Sequence, residues 1–109
     1  MAEEYIQVLM TAGSDEEAAR LAQTLVEARL AACVQTVGPI TSRYWWEGEV
    51  QTEQEWLCVA KTTAARYEAL SERVRADHSY EIPEITAIPV VGGLAEYLGW
   101  IRREVDASA

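Results

Sequence analysis

One histidine, two cysteines and a single lysine are the strongest candidates for chemistry in this chain. His78 stands among carboxylates, with Asp77 before it and Glu81 and Glu84 after it. Imidazole and carboxylate oxygen together take first-row divalent ions, Cu²⁺ ahead of Zn²⁺, so His78, Glu81 and Glu84 are the candidate metal ligands. Only one of the three is a strong ligand, and a specific site needs three or four that converge, which limits the set to weak binding. The plainer role for His78 is to cap a helix C-terminus and point to water. Lys61 falls at a strand end just before a helix start, where an ammonium beside free backbone donors can hold an anion. A salt bridge to Glu55 or Glu84 accounts for it equally well. Cys33 and Cys58 read as buried thiols; the run Glu47, Glu49, Glu53, Glu55 can attract hard cations, but its plainer reading is a solvated face or a set of partners for arginine. There is no nucleophile-base pair, no H-E-x-x-H and no phosphate-cradling glycine loop, so an enzyme is not expected.

These residues must be positioned by the elements around them. Tyr5 to Ala12 alternates, with Ile6, Val8, Met10 and Ala12 on one face, which is a strand. Gly13 ends it, and Ser14-Asp15-Glu16-Glu17 has the form of a capping box, with the serine oxygen and the Glu17 carboxylate serving reciprocal backbone donors. Ala18, Leu21, Ala22, Leu25 and Ala28 then recur at helical spacing, predicting a helix to about Ala31. A second helix, capped by Thr62 or Thr63, has Tyr67, Leu70 and Val74 inside and stops near Asp77. His78 to Pro83 is a loop, and Glu84 to Val91 a strand that tolerates Pro89 at an edge or bulge. Gly92-Gly93 turns, Leu94, Leu98 and Ile101 mark a last helix, and Asp106 to Ala109 reads as a disordered tail.

Between the first two helices lies the longest feature, a β-hairpin from Cys33 to Lys61 that turns at Glu47-Gly48. Each arm runs about 12 residues or more, ~40 Å at the strand rise, whereas the helices are only ~25 Å long. The tip therefore overhangs the core. Counting outward from the turn, Trp45 and Val50 point to one face and Tyr44 and Trp46 to the other, so the overhang is apolar on both sides and needs a cover from outside the chain. Tyr44, Trp45, Trp46 and Gly48 are the expected interface. The same register sets Cys58 opposite Val37, too far from Cys33 for a disulfide, and a bulge at Gly38-Pro39 shifting it by one residue does not close the gap.

The whole of residues 1–109 reads as one α+β domain, 50% hydrophobic and 25% charged. The order strand-helix-strand, twice, with a closing helix is the ferredoxin-like βαββαβ arrangement plus a C-terminal helix, with an antiparallel sheet around a long central hairpin. A net charge of −9 disfavours nucleic acid and anionic membranes as partners. No apolar run has membrane-spanning length, and no signal peptide is visible, so a cytoplasmic location is expected.

Several stretches are together more specific than any of these patterns. Ala31-Ala32-Cys33-Val34, Tyr44-x-Trp46-x-Gly48, Lys61-Thr62, His78-Ser79-Tyr80-Glu81-Ile82-Pro83-Glu84-Ile85 and Tyr97-Leu98-x-Trp100, in that order, resemble the signature stretches of the CutA family of divalent-cation tolerance proteins. The resemblance spans nearly the whole chain. It departs at Ser79, where the family usually has proline, at Asp77 before a single histidine, and at Met10, where some members have cysteine. What it implies is a ferredoxin-like protomer in a tight homotrimer, akin to the PII signalling proteins, with a role in tolerance of copper and other divalent cations and no tightly bound cofactor. A second reading, a PII-like small-ligand sensor, places clefts between subunits lined by Cys33, Lys61, Tyr80, Glu84 and Trp100.

Overall fold

The computed structural model describes residues 4–106, and its order of elements is the expected one. β1 (Tyr5–Ala12) leads to α1 (Asp15–Glu27), β2 (Cys33–Trp46) and β3 (Glu49–Thr63) form the hairpin, and α2 (Tyr67–Asp77), β4 (Ile85–Pro89) and α3 (Ala95–Val105) follow. The four strands make one antiparallel sheet in the order β2-β3-β1-β4, so the fold is ferredoxin-like α+β. Alternation on β1 does what its sequence promises. Val8, Met10 and Ala12 are fully buried beneath the helices, where Cys58, Ala60 and Thr62 of β3 join Ala18, Leu21 and Leu25 of α1 and Leu70 and Val74 of α2. Ile101 and Val105 of α3 are also buried but lie outside that cluster.

The hairpin overhangs as expected. Pairing of β3 with β1 stops at Ala12 opposite Trp56, so the β3 edge from Glu49 to Glu55 has no β1 partner and projects on the order of 20 Å. At the tip, Glu47 and Gly48 both take positive φ (50° and 83°), the requirement of a type I′ turn, and Trp45 pairs with Val50 and Trp46 with Glu49. The register slips between Val37 and Ile40, so Cys58 lies opposite Thr36 rather than Val37. Gly38 is needed there because a Cβ at that position would overlap the Trp56 indole. Both cysteines are free.

Several boundaries move. α1 ends at Glu27, and the chain turns at Arg29, in a left-handed conformation, well before Ala31. Neither threonine caps α2: the Thr62 hydroxyl donates to the Leu30 carbonyl, and Thr63 stands at the N-cap of a 3-10 turn at Ala64–Arg66 that precedes α2, without a side-chain capping bond. β4 is shorter than Glu84 to Val91, though Pro89 does sit on an edge strand, where its missing N–H costs nothing. Residues 90–94 are irregular. Asp106 caps α3 rather than opening the tail, and the rest of that tail lies outside the described residues. No described helix is long and apolar enough to cross a membrane.

Candidate functional site

His78 follows the last residue of α2, but its ring turns inward and its side chain is fully buried. Nε2–H donates to the Thr11 carbonyl at 2.7 Å, and the Tyr80 N–H donates to Nδ1 at 2.9 Å. Both nitrogens are thus engaged by backbone. The ring neither points to water nor offers a lone pair to a metal, while Glu81 and Glu84 lie exposed on the loop beyond it. Among the described residues no three His, Cys, Asp or Glu side chains converge, so His78, Glu81 and Glu84 do not form a ligand set within the chain.

The side chain that organises this corner is Glu17, which sequence reasoning treats only as a capping residue. Its N–H donates to the Ser14 hydroxyl at 3.1 Å, as a capping box requires. Its carboxylate, however, does not return to the Ser14 N–H. Oε1 accepts from the Gly13 N–H at 3.3 Å and the Ser79 hydroxyl at 3.0 Å, and Oε2 accepts from the Ser79 N–H at 2.8 Å. Glu17 is 5% exposed. Burial pushes its carboxyl up, but the donors from Ser79 and Gly13 together hold it below its ordinary value of 4.5. Ser79 supplies two of these three hydrogen bonds. A proline at this position would offer neither an N–H nor a hydroxyl to Glu17.

Pinned at Ser79, the 80–84 loop stands beside the overhanging hairpin and walls a groove of about 740 Å³. Tyr44, Trp46, Glu53 and Glu55 line it from the hairpin, Thr11 from the end of β1, and Tyr80, Glu81, Ile82 and Glu84 from the loop. The Tyr80 hydroxyl donates to Glu55 Oε2 at 2.8 Å and the Tyr44 hydroxyl to Glu53 Oε1. Burial and the bond to Glu55 push the Tyr80 phenol well up, and the bond to Glu53 is the main reason that Tyr44 is pushed up to about 12. Both phenols are therefore donors at neutral pH. Four carboxylates face one guanidinium, Arg43, which is turned to the Thr52 hydroxyl at 3.2 Å.

The remaining expected pocket residues lie elsewhere. Lys61 pairs with Cys33 across the hairpin and with Gln7 of β1, about 13 Å along the sheet from Thr11. Its Nζ sits 6.0 Å from the centre of the Tyr97 ring, which packs at 5.6 Å against Trp100. Lys61 makes no ion pair among the described residues, so the salt bridge to Glu55 or Glu84 is not formed. Within one chain, Cys33, Lys61 and Trp100 belong to one end of the sheet, Tyr80 and Glu84 to the other.

Comparison with known proteins bears on the family and the fold. The family model described as CutA1 divalent ion tolerance protein matches residues 6–104. The chain is 50% identical over 95 residues to the divalent-cation tolerance protein CutA of Thermus thermophilus, covering 87% of this chain and 92% of that one. It is 43% identical to the chloroplastic CutA 1 of Oryza sativa over 94% of its own length but spans only 58% of that relative. Among solved structures, the periplasmic divalent cation tolerance protein CutA from Archaeoglobus fulgidus matches with a TM-score of 0.90 at 42% identity, over 93% of this chain and 98% of the other. With a family match that runs from the first strand into the last helix, and the same fold at this level of identity, the chain belongs to the CutA1 divalent ion tolerance protein family.

Proposed function

We propose that this protein serves in divalent-cation tolerance as a cytoplasmic homotrimer that binds divalent cations weakly and does no catalysis. The observation that carries the assembly is the tip of the hairpin. Trp45 is 74% exposed, Val50 and Trp46 are exposed beside it, and the β3 edge from Glu49 to Glu55 offers unpaired backbone donors and acceptors. A neighbour's strand added to that edge would satisfy the backbone and cover the rings, and a closed ring leaves no edge for further growth. The number three comes from the family resemblance. Sedimentation equilibrium tests it: a stable monomer of about 12 kDa at micromolar concentration rules the reading out.

With both His78 nitrogens engaged, weak cation binding falls to oxygen donors such as Glu81 and Glu84 at the groove, with copper still ahead of zinc. Calorimetry with Cu²⁺ and Zn²⁺ is the measurement, and sub-micromolar binding of either would require a stronger ligand set than one chain offers. A non-catalytic role is supported by the same contacts, since the only imidazole is committed to backbone partners.

The sensor reading also has a specific support. The groove borders the free β3 edge, so a strand added there would supply its missing wall and turn it into a cleft between subunits. In that case Tyr80 and Glu84 of one chain are the cleft residues, and Lys61, Cys33 and Trp100 join them only if a neighbour brings them. A thermal-shift panel of metals, nucleotides and small anions distinguishes the two readings.

A further inference from the structure

The groove contains a buried carboxylate with one free side. Glu55 is 6% exposed, its Oε2 takes the Tyr80 hydroxyl, and no hydrogen bond reaches Oε1 among the described residues. Since no buried side-chain nitrogen or oxygen among them lacks a partner, Oε1 is not sealed in protein but opens on the groove that Glu55 lines. No described Arg, Lys or His forms an ion pair with Glu53, Glu55, Glu81 or Glu84. Glu55 thus keeps one carboxylate oxygen open to the groove with no described counter-charge paired to it, which leaves it available to a cation.

The rings beside it decide which kind of cation. Tyr44, Trp46 and Tyr80 line the same groove, and aromatic faces attract alkylammonium ions, whose methylenes also gain by leaving water. A bare Mg²⁺ or Ca²⁺ gains nothing from the rings and calls for about six or more oxygens in a shell. The volume is that of a small-molecule site rather than an ion site. Glu53 and Glu55 are two residues apart on one face of β3, about 6.6 Å at the strand rise, which an alkyl chain of three or four methylenes spans.

We propose that the groove between the hairpin and the 80–84 loop binds an organic ammonium, a linear diamine or polyamine, anchored on Glu55 Oε1. Glu53 takes the second nitrogen, and Tyr44, Trp46 and Tyr80 flank the methylenes. This rests on and deepens the reading of the groove as a ligand cleft, and it places the diamine on residues of one chain, whatever a neighbour adds as the outer wall.

The test is calorimetric titration of the full chain with butane-1,4-diamine at constant ionic strength, with tryptophan fluorescence reporting on Trp46. Saturable binding of one diamine per chain is expected in the submillimolar range, with no response to butane-1,4-diol. Glu55→Gln keeps an acceptor for Tyr80 but removes the charge and should weaken the diamine by about tenfold or more. Glu53→Gln, at an exposed position that does not endanger folding, should weaken it severalfold, and Glu104→Gln, in the ion pair with Arg29, should not. No saturable binding by the wild type, equal binding of the diol, or an affinity unchanged in both Glu55→Gln and Glu53→Gln overturns the proposal. So does a groove that takes Mg²⁺ or Cu²⁺ through Glu55 and refuses the diamine. Sedimentation of the same samples keeps the two readings apart: a monomer that binds diamine refutes only the trimer, and a trimer that does not bind it refutes only this inference.

Discussion

Glu17→Gln is the substitution that tests whether the groove wall hangs on one buried carboxylate. The change is nearly isosteric, so packing is held constant and only the charge and one acceptor are lost. In the wild type, three donors converge on the two oxygens. A glutamine offers one carbonyl oxygen, and in either orientation its NH₂ faces a backbone N–H, of Ser79 in one and of Gly13 in the other. Three charge-assisted bonds worth roughly 1.5 to 3 kcal/mol each become at best two neutral ones worth roughly 1, while relief from burying a charge returns part of the difference. The expected loss is about 2 to 4 kcal/mol, a large share of the roughly 5 to 15 that stabilise a domain. The pH dependence follows from the lowered carboxyl. Its stabilisation is fully present above the ordinary 4.5 and is lost as the pH falls through the lower folded-state value, so the gap between wild type and variant should narrow on acidification. Urea unfolding near neutral pH and again well below 4.5, at one fixed protein concentration, measures both quantities. A loss under about 1 kcal/mol at neutral pH, or a gap that stays constant into acid, refutes the reasoning.

Three other changes probe separate parts of the chain. His78→Ala removes the donor to Thr11 and the acceptor for Tyr80, and should cost about 2 to 4 kcal/mol in chemical denaturation while leaving Cu²⁺ affinity unchanged by calorimetry; lost copper binding would mean that the ring leaves the interior. Gly38→Ala drives a methyl into Trp56 and should destabilise by about 1 to 3 kcal/mol, read from the denaturation midpoint. Lys61→Met should cost less than about 1 kcal/mol in the same assay, since among the described residues a cation–π contact at 6.0 Å is its one charged interaction, and a larger loss would point to an ion pair in the assembly.

Local chemistry made much of this molecule legible in one dimension. The alternation of β1, the Ser14 cap, the stripes of α1 and α2, and the turn at Glu47-Gly48 each depend on residues within a few positions of one another, and each stands where its pattern puts it. The tip register followed because a two-residue turn dictates which side chains face each other, and so did the overhang, because strand and helix rise differ by a factor of about two. Beyond Gly38 the register moves by one residue, as a bulge at Gly38-Pro39 would make it; the local residue types mark the place, but how Trp56 packs against the opposite strand decides that the bulge forms. His78 and Glu17 show the deeper limit. Spacing puts a histidine after a helix and a glutamate at N3, but the partners that settle their roles, Thr11 and Ser79, are 67 and 62 residues away along the chain. The groove is of the same kind, with Glu55 and Tyr80 25 residues apart and brought together where β1 stops short of the hairpin. Sequence alone determined the elements and the overhang because those rest on short-range periodicity, and it pointed to the family through the resemblance of its signature stretches. Only the tertiary structure decided which polar groups go inward, because burial and hydrogen bonding depend on which distant segment arrives opposite them.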